Sequence, residues 1–519
     1  MSPSLVDGNG ASKPVLNRAD EVEDLVNAVK SLIVPYIRDA DEAAILRAQG
    51  HNGQDPSSRN VLVESYRPEE LVKRLQFSLP EGQGRGKDGL LEAIQDVLRY
   101  SVNTWDQGFM DKLYSSTNAV GVISDMLLAT LNTNVHVYHS SPALTVIEKT
   151  TARALASLFG FTGPRAGGVT CQGGSSSNLT SLIIARNTLY PVTKTQGNTG
   201  FTFALFTGAH GHYSVEKAAT TAGMGSLNVI TVPVDSKGRM IPTALEDAVL
   251  AAKDKGMTPL YVNSTAGTTV LGSFDPFHEI ADICAKFGLW MHVDASWGGP
   301  VAFSAKQRHK IAGVERANSV TINPHKMMNV PIVCSFLLTR DLSVFHRANT
   351  LPAGYLFHGD GDEDGVNGEV KEKEYWDLAD LTLQCGRRGD SLKLALAWIY
   401  YGAEGYGSQI DHAFAMASHL ATLVEKADDF VLLSTNPPPC LQVCFYYAPT
   451  GVLDTDSEAN TRWTKTMVRE LVNRGFMVDY APGKNGSFFR VVVNCQTRQS
   501  TVDGLMKALH EVGKGLVSA

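Results

Sequence analysis

Several features that would assign this chain to a class of protein at once are missing from its sequence. Its 519 residues contain no uninterrupted apolar stretch long enough to span a bilayer, and the first residues carry neither a basic nor an apolar signal segment. The formal net charge is −7 and no basic run occurs, which gives no support for a nucleic-acid partner. We therefore expect a cytoplasmic protein that binds neither a membrane nor a nucleic acid.

Cysteine is scarce as well, and its spacing argues against two further kinds of site. The chain has seven cysteines, an odd number, scattered in apolar segments without a CxxC pair. This pattern is typical of reduced, buried thiols rather than of a disulfide framework or a zinc site. The acidic, glycine-rich segment 358–373 has an Asp-x-Asp spacing, but without helical flanks and a terminal glutamate it indicates a mobile loop rather than a calcium site. We expect no bound metal.

The pattern of apolar residues divides the chain into three parts. Residues 1–113 combine a polar tail with helical periodicity, which predicts an N-terminal helical region that could cover another subunit. In residues 114–385, apolar strands alternate with amphipathic helices, which is typical of an α/β domain with a largely parallel sheet covered on both faces. Residues 386–519 predict a small C-terminal α+β domain. In such parallel sheets, ligands bind at the carboxyl ends of the strands.

Small or polar turns follow three of the apolar segments. The turn Gly173-Gly174-Ser175 precedes a helix, where amides and the helix N-terminus could bind a phosphate; an ordinary N-cap with glycines is the alternative. His212 could stack on a flat cofactor, although a structural histidine is the more common outcome. The hydroxyl-rich turn that contains Thr268 could line a cofactor pocket or form a plain loop.

An aspartate and a lysine occupy equivalent places after two further strands. Asp294 ends an apolar segment, and Lys326 follows the next one after the turn Asn323-Pro324-His325. A carboxylate at such a place must be paired, coordinated or protonated. The two residues fit a Schiff-base lysine for pyridoxal phosphate (PLP) and a carboxylate that keeps the pyridine nitrogen protonated. A structural salt bridge for Asp294 and a surface position for Lys326 are the alternatives.

The order of these turns, from the phosphate-type turn to the lysine, makes the chain resemble a known family. It is similar to the group II PLP-dependent amino-acid decarboxylases, in particular to the glutamate and cysteine-sulfinate decarboxylase branch. The family's lysine signature is met from Ser319 to Arg340, and the segment Ala353–Phe357 also looks like this branch. The resemblance covers residues 95 to 500. It implies fold type I (aspartate-aminotransferase-like), PLP as cofactor and a homodimer with shared active sites.

The resemblance also implies roles for single residues. Lys326 would carry the cofactor, Asp294 would hold the pyridine nitrogen, and His212 would stack on the ring and take part in catalysis. Arg490 is similar to the arginine that pairs with a substrate carboxylate, and Lys112 would add a second cation beside it. The other implied cofactor-binding residues are Gly173, Gly174, Ser175, Thr268, Ala295, Asn323 and His325.

Three positions depart from the family pattern. The position of the loop tyrosine that returns a proton falls on Trp376, so Tyr375 can act as the catalytic tyrosine only if the register shifts by one residue. Without that shift, the alternative is that the enzyme forms an aldehyde or transaminates its substrate. Lys112 stands where this branch usually has glutamine, and Asn329 replaces the glycine that usually follows the Lys-Met-Met run.

We therefore predict decarboxylation of an acidic L-amino acid (glutamate, aspartate or cysteine sulfinate) to the amine and CO2. The alternative keeps PLP but acts on an aromatic or specialised amino acid in secondary metabolism, as a decarboxylase or an aldehyde-forming enzyme. An aminotransferase of the same fold and a PLP-binding protein without catalysis are two further alternatives. The surroundings of Lys326 argue against the former, and intact Lys326, Asp294 and His212 argue against the latter.

Overall fold

This computed structural model describes residues 17–48, 60–352 and 374–518. The polar N-terminus up to residue 16, the segment Ala353–Phe357 and the acidic segment 358–373 lie outside the described residues. The helices within the described ranges are α1 (Arg18–Ala48), α2 (Pro68–Leu75), α3 (Gly86–Tyr100), α4 (Ala119–Leu131), α5 (Pro142–Leu158), α6 (Gly174–Leu189), α7 (Thr193–Gln196), α8 (Ser214–Thr221), α9 (Pro242–Asp254), α10 (Phe277–Phe287), α11 (Leu342–Asn349), α12 (Ser391–Lys426), α13 (Ser457–Asn473) and α14 (Gln499–Ser518). The strands there are β1 (Phe109–Met110), β2 (Gly167–Cys171), β3 (Phe203–Gly208), β4 (Val229–Val232), β5 (Thr258–Thr265), β6 (Trp290–Ala295), β7 (Ser319–Ile322), β8 (Ser335–Thr339), β9 (Phe430–Leu432), β10 (Gln442–Tyr447), β11 (Met477–Ala481) and β12 (Phe488–Val492).

A seven-stranded mixed sheet forms the centre of the larger of two compact units, which comprises Asp111–Thr464 and Asp479–Thr497. Its strand order is β2-β8-β7-β6-β5-β3-β4. The neighbours from β7 to β4 pair in parallel, whereas β8 is antiparallel to both β2 and β7. The predicted fold type I architecture, with a largely parallel central sheet, is confirmed.

The sheet is buried because its strands are apolar on both faces and helices cover them. β3, β6 and β7 are buried over their whole length. One core cluster joins strand residues such as Leu205 and Tyr261 to Leu182 and Ile184 of α6 and to Phe345 of α11. Burial of such apolar surface is the main favourable term in folding, so the core holds the strand ends in fixed places.

The strand directions bring the predicted turns to one edge of this sheet. Parallel strands share the edge at which their carboxyl ends meet, so the turns after β3, β5, β6 and β7 lie side by side. Because β8 is antiparallel to both of its neighbours, β2 points in the same direction as β7. The turn after β2 therefore belongs to the same edge.

The larger unit also contains an antiparallel arrangement of β9, β10, β12 and residues 479–481 of β11. β12 lies between β10 and β11, and β9 pairs with the other side of β10. In this register Arg490 of β12 lies opposite Asp479 of β11 and Cys444 of β10. The pairing thus presents an arginine and an aspartate as direct neighbours.

The second compact unit comprises Met1–Met110, Lys465–Val478 and Arg498–Ala519. It contains α1, α2 and α3, which confirms the helices predicted from the apolar periodicity, and also α14. β1 pairs in parallel with Met477 and Val478 of β11. None of the helices in the described ranges is both long and apolar enough to cross a membrane. The three-part division at residues 113 and 385 stays a prediction.

A buried ion pair holds β2, the strand that leads into the glycine turn. Arg387 Nη1 lies 2.7 Å from Glu148 Oε1, and the two side chains are 1% and 0% exposed. The same carboxylate accepts hydrogen bonds from the backbone N–H of Thr170 at 2.9 Å and from its hydroxyl at 3.0 Å. Since Thr170 belongs to β2, the pair ties α5 to the strand beside the turn.

Arg387→Met is expected to lower the free energy of unfolding by about 3–5 kcal/mol, because it leaves the Glu148 carboxylate buried without its counter-charge. Arg388→Met is the matched control, since Arg388 is 44% exposed and its pair with Asp125 contributes about 0–1 kcal/mol. Urea denaturation followed by circular dichroism measures both variants. Equal destabilisation by the two substitutions would contradict the role of the buried pair.

Candidate active site

A cavity of about 730 Å³, mouth included, lies at the edge where the carboxyl ends of the parallel strands meet. Turns after five strands of the sheet contribute to its wall. Of the predicted site residues, the lining includes Gly174, Ser175, His212, Asp294, Asn323, His325 and Lys326. The turns that the sequence placed after the apolar strands therefore meet at one cavity in the structure.

Three predicted cofactor-binding residues lie just behind this lining. Gly173 precedes α6 with φ +89°, a backbone conformation that favours glycine, and Ala295 is fully buried beside Asp294. Thr268 is buried, and its hydroxyl accepts a hydrogen bond from the backbone N–H of Ser273 at 3.0 Å. Thr268 thus shapes the turn after β5, whereas other residues of that turn reach the cavity.

Several lining residues received no individual role from the sequence. They are His210, Tyr213, Thr265, Gly267, Thr269 and Trp297. Each lies within three residues of a predicted site residue, so the position of the turn at a strand end was the available signal. Among the described residues, no group of three or more His, Cys, Asp or Glu side chains could hold a metal ion.

The start of α6 forms a cradle with the turns that follow β6 and β7. A Cβ atom added to Gly174 would lie 2.6 Å from Ser296 Oγ and 2.9 Å from Asn323 Nδ2, so only glycine leaves this space open. Asn323 Nδ2, which borders this space, is an amide donor that can bind an anion. Backbone amides at the N-terminus of a helix attract anions. The cradle therefore fits a phosphate group.

Asp294 is a buried carboxylate at the end of β6. Its Oδ2 accepts a hydrogen bond from Asn178 Nδ2 at 2.8 Å, and its Oδ1 accepts one from the Ser296 backbone N–H at 3.1 Å. Burial raises the pKa of Asp294, but hydrogen bonds from Ser296 and Asn178 and the charge of Lys326 outweigh it, so the pKa lies below its ordinary value. The carboxylate is therefore ionised at neutral pH.

Lys326 and His212 are the titratable groups that face this carboxylate from neighbouring turns. Burial lowers the pKa of Lys326, although Asp294 opposes the shift, so its amine loses a proton more readily than a surface lysine. Burial also lowers the pKa of His212. Its Nδ1 accepts a hydrogen bond from the Ser214 backbone N–H at 3.3 Å, which leaves the proton of the neutral ring on Nε2. Lys326 thus has the properties of an amine nucleophile.

The predicted substrate-binding cations share an anion that the sequence did not reveal. Arg490 Nη2 lies 2.5 Å and Lys112 Nζ lies 3.0 Å from the same oxygen, Asp479 Oδ2. Arg490 Nη1 donates to the carbonyl oxygen of Thr269, which lines the cavity, at 3.0 Å. Neither cation lines the cavity, but one hydrogen bond separates Arg490 from its wall. Burial and the nearby Asp479 also raise the pKa of Asp111, the second partner of Lys112.

The structure places Tyr375 away from the cavity of its own chain. The Tyr375 ring stacks on the His346 ring with centroids 4.4 Å apart, and it packs against the large core cluster. Trp376 is 39% exposed and contacts the Tyr138 ring edge-on. The catalytic role of Tyr375 stays a prediction.

Asn329 keeps the backbone conformation that a glycine would adopt. Its φ is +54°, in the left-handed region where asparagine is tolerated better than most other side chains. Its Nδ2 donates to the Ser116 carbonyl oxygen at 2.9 Å. The substitution at this position therefore preserves the turn after Lys326 and adds an anchor to it.

PLP needs an amine for its attachment, a carboxylate for its ring nitrogen and donors for its phosphate. The cavity offers all three, so fold and site define a PLP-dependent enzyme of fold type I. Residues 68–448 match the family model described as the pyridoxal-dependent decarboxylase conserved domain. The chain belongs to this family and is a PLP-dependent amino-acid decarboxylase.

Individual relatives cover almost the whole chain. It is 60% identical over 508 residues to L-aspartate decarboxylase dtxS4 of Metarhizium robertsii, with 98% of this chain and 99% of the relative covered. It is 40% identical over 530 residues to a glutamate decarboxylase-like protein of Gibberella zeae, with 96% and 99% covered. The fold matches the crystal structure of mouse CSAD with a TM-score of 0.83 and 33% identity, over 96% and 99% of the two chains.

Gly174→Ala is expected to weaken PLP binding by at least about tenfold, because the added methyl group fills the cradle between Ser296 and Asn323. Alanine suits the helical backbone there, and the side chains that must shift to admit its methyl group are Ser296 and Asn323 of the cradle itself, so circular dichroism is used to confirm that the variant is folded. Gly163→Ala is the matched control, since its nearest contact would be the Arg340 carbonyl oxygen at 3.9 Å. Equilibrium dialysis against PLP measures both. An unchanged dissociation constant for Gly174→Ala would contradict the cradle.

Proposed function

We propose that this enzyme decarboxylates an acidic L-amino acid, with L-aspartate as the preferred substrate, and releases the amine and CO2. The observation that carries the proposal is Arg490, one hydrogen bond behind the cavity wall at Thr269, with Lys112 on the same oxygen of Asp479. The relative with 60% identity, which is named an L-aspartate decarboxylase, supports aspartate within the acidic class.

Arg490 has a donor to spare for a substrate carboxylate. Its Nη1 and Nη2 are used by Thr269, Asp479 and the Asp111 carbonyl oxygen, but its Nε is buried and has no partner among the described residues. A buried N–H without a partner costs about 1–3 kcal/mol, so a carboxylate that reaches it gains affinity. An apolar side chain offers no such gain, which favours an acidic substrate over an aromatic one.

The residues of the cavity divide the binding of PLP among them. Gly173, Gly174 and Ser175, with Asn323 and His325, would hold the phosphate, and Thr268 and Ala295 would shape the adjoining walls. Lys326 would form the covalent attachment, Asp294 would hold the ring nitrogen and His212 would cover one ring face. When bound there, PLP supplies an electron sink for the pair of electrons that CO2 leaves behind.

The chain's own groups then hold and move protons. The ionised Asp294 keeps a proton on the ring nitrogen, where a positive charge attracts electrons. Neutral His212 presents an Nε2–H that can donate to a substrate carboxylate. The Lys326 amine, with its lowered pKa, would be the group to which the cofactor is attached before and after turnover. Tyr375 is proposed to return a proton to the α-carbon.

We further propose a homodimer in which Tyr375 of one copy serves the cavity of the other, with residues 1–113 as a dimerisation region. An exposed apolar stripe on α4 supports an interface: Ile123, Leu127 and Leu131 are spaced by four residues and are 61%, 40% and 45% exposed.

We also propose a cytoplasmic location, which a fluorescent fusion would test. The seven free cysteines suit that reducing compartment.

L-aspartate is expected to give the highest kcat/KM for CO2 release in a panel with L-glutamate, cysteine sulfinate, L-tyrosine and L-tryptophan.

Arg490→Met should lower kcat/KM for aspartate by about ten- to a hundredfold, because a charged hydrogen bond is lost. Arg462→Met, at a position that is 68% exposed, should leave it unchanged. A preference for an aromatic substrate would contradict the substrate class, and CO2 release by Lys326→Ala at the normal rate would contradict the mechanism.

Co-expression of Lys326→Ala and Tyr375→Phe subunits is expected to restore amine release to about a quarter of the wild-type level, although each variant alone forms little amine. In a symmetric dimer with shared sites, half of the dimers are mixed and each has one intact site. A site built from a single chain would give no restoration. That result, or a monomer in size-exclusion chromatography, would contradict the shared site.

A further inference from the structure

A row of hydrogen bonds extends from Asp294 into the core, away from the cavity. Asn178 Nδ2 is 2.8 Å from Asp294 Oδ2, and His292 Nε2 is 3.1 Å from Asn178 Oδ1. On the other side of the imidazole ring, Ser319 Oγ is 2.8 Å from His292 Nδ1, and Trp290 Nε1 donates to Ser319 Oγ at 3.0 Å. All five side chains are buried, so water cannot replace a lost partner.

Only one direction of donation satisfies every member of this row. A carboxylate accepts and cannot donate, so Asn178 must turn Nδ2 toward Asp294. The second Nδ2 hydrogen is used as well, because Ser214 Oγ lies 2.9 Å away. Asn178 Oδ1 is then left to face His292 as an acceptor.

The hydrogen bonds of the His292 imidazole run in the same direction, from donor to acceptor toward Asp294. Burial lowers the pKa of His292 to about 4, so the ring is neutral and carries a single proton. That proton lies on Nε2, where it is donated to Asn178 Oδ1, with the Thr321 hydroxyl oxygen 3.3 Å away as a second acceptor. Nδ1 then accepts from the Ser319 hydroxyl. The indole N–H of Trp290 can only donate, so it completes the row without a leftover group.

We propose that Asn178, His292, Ser319 and Trp290 are positioning residues that keep Asp294 ionised and fix the oxygen it turns toward the cavity. The inference rests on the proposed role of Asp294 toward the PLP ring nitrogen. A proton on Oδ2 of Asp294 would need an acceptor at Asn178. An amide turned to offer Oδ1 would bring Nδ2 against the His292 N–H, so the whole row disfavours a proton on Oδ2, and its hydrogen bond to that oxygen stabilises the ionised form.

Other titratable groups also face Asp294, and one of them provides a matched control. Lys326 and His212 face it from the cavity turns, and their effect is the same in all variants below. Tyr261 of β5 stacks on the His292 ring with centroids 5.8 Å apart, but its hydroxyl bonds to Ser181 Oγ at 2.7 Å. Tyr261→Phe therefore removes a buried hydrogen bond beside the row without breaking it.

The test is the affinity for PLP of the full chain, measured by equilibrium dialysis from pH 8 down to about pH 3, with circular dichroism at each pH to identify where the fold is lost. Asp294 binds PLP in its ionised form, so affinity falls as the pH drops through its pKa. His292→Phe keeps the stacked ring but removes the donor to Asn178, so the midpoint of this loss should rise by about one pH unit, equivalent to a tenfold weaker binding below it. Tyr261→Phe should leave the midpoint unchanged.

Two further variants separate positioning from a merely structural role. His292→Gln offers an amide donor to Asn178 and is expected to recover part of the midpoint shift. Trp290→Phe removes only the end of the row and is expected to shift the midpoint in the same direction by a smaller amount, which keeps the proposal testable if His292→Phe does not fold.

Weaker binding by His292→Phe or Trp290→Phe without a shift of the midpoint would overturn the inference, and so would a shift equal to that of Tyr261→Phe. An Asp294→Asn variant that bound PLP as tightly as the wild type at pH 7 would overturn the proposed role of Asp294 and the row together. A wild-type dependence that no variant of the row moves would overturn the row alone.

Discussion

The structure depends on one costly feature, a carboxylate buried at the end of a central strand. An isolated charge in such a place is strongly disfavoured unless hydrogen bonds and an opposite charge compensate it. Asp294 receives that compensation from Asn178, from the Ser296 backbone and from Lys326. Asn178 lies one turn into α6 after Gly174, so the helix that satisfies the carboxylate also forms the cradle. The place of α6 is therefore constrained from both ends of the cofactor site.

The central sheet explains how distant parts of the chain meet at this carboxylate. Four parallel pairings place the turns after β3 to β7 at one edge, and the reversed strand β8 lets β2 end there as well. The turn after β2 has no parallel neighbour to hold it. The buried pair of Glu148 and Arg387 supplies that support through Thr170. The anion cradle thus depends on an ion pair that does not touch the cavity.

The sequence could predict features that depend on residues close together in the chain, and it could not predict contacts between distant segments. Asp294 and Lys326 were singled out because the apolar runs that form β6 and β7, and the residues that end them, are local signals. Asp479 was missed because its contact with Arg490 depends on the register of two strands. The row behind Asp294 joins α6 to two strands, so no local pattern reveals it. Thr268 was expected near the cofactor, and that role stays a prediction; its hydroxyl oxygen accepts a hydrogen bond from Ser273 within its own turn, a contact that the sequence did not reveal.

The distribution of charge shows what substrate recognition must achieve. Within the lining, the negative Asp294 faces the amine of Lys326, while burial keeps His212 and His325 neutral. This balance suits the cofactor but leaves little positive charge for a second carboxylate of the substrate. The additional charge lies behind Thr269, where Asp479 already bridges Arg490 and Lys112. Under the proposed function, an acidic substrate must compete with that internal carboxylate. Selectivity would then depend on where the substrate carboxylate reaches, rather than on charge alone.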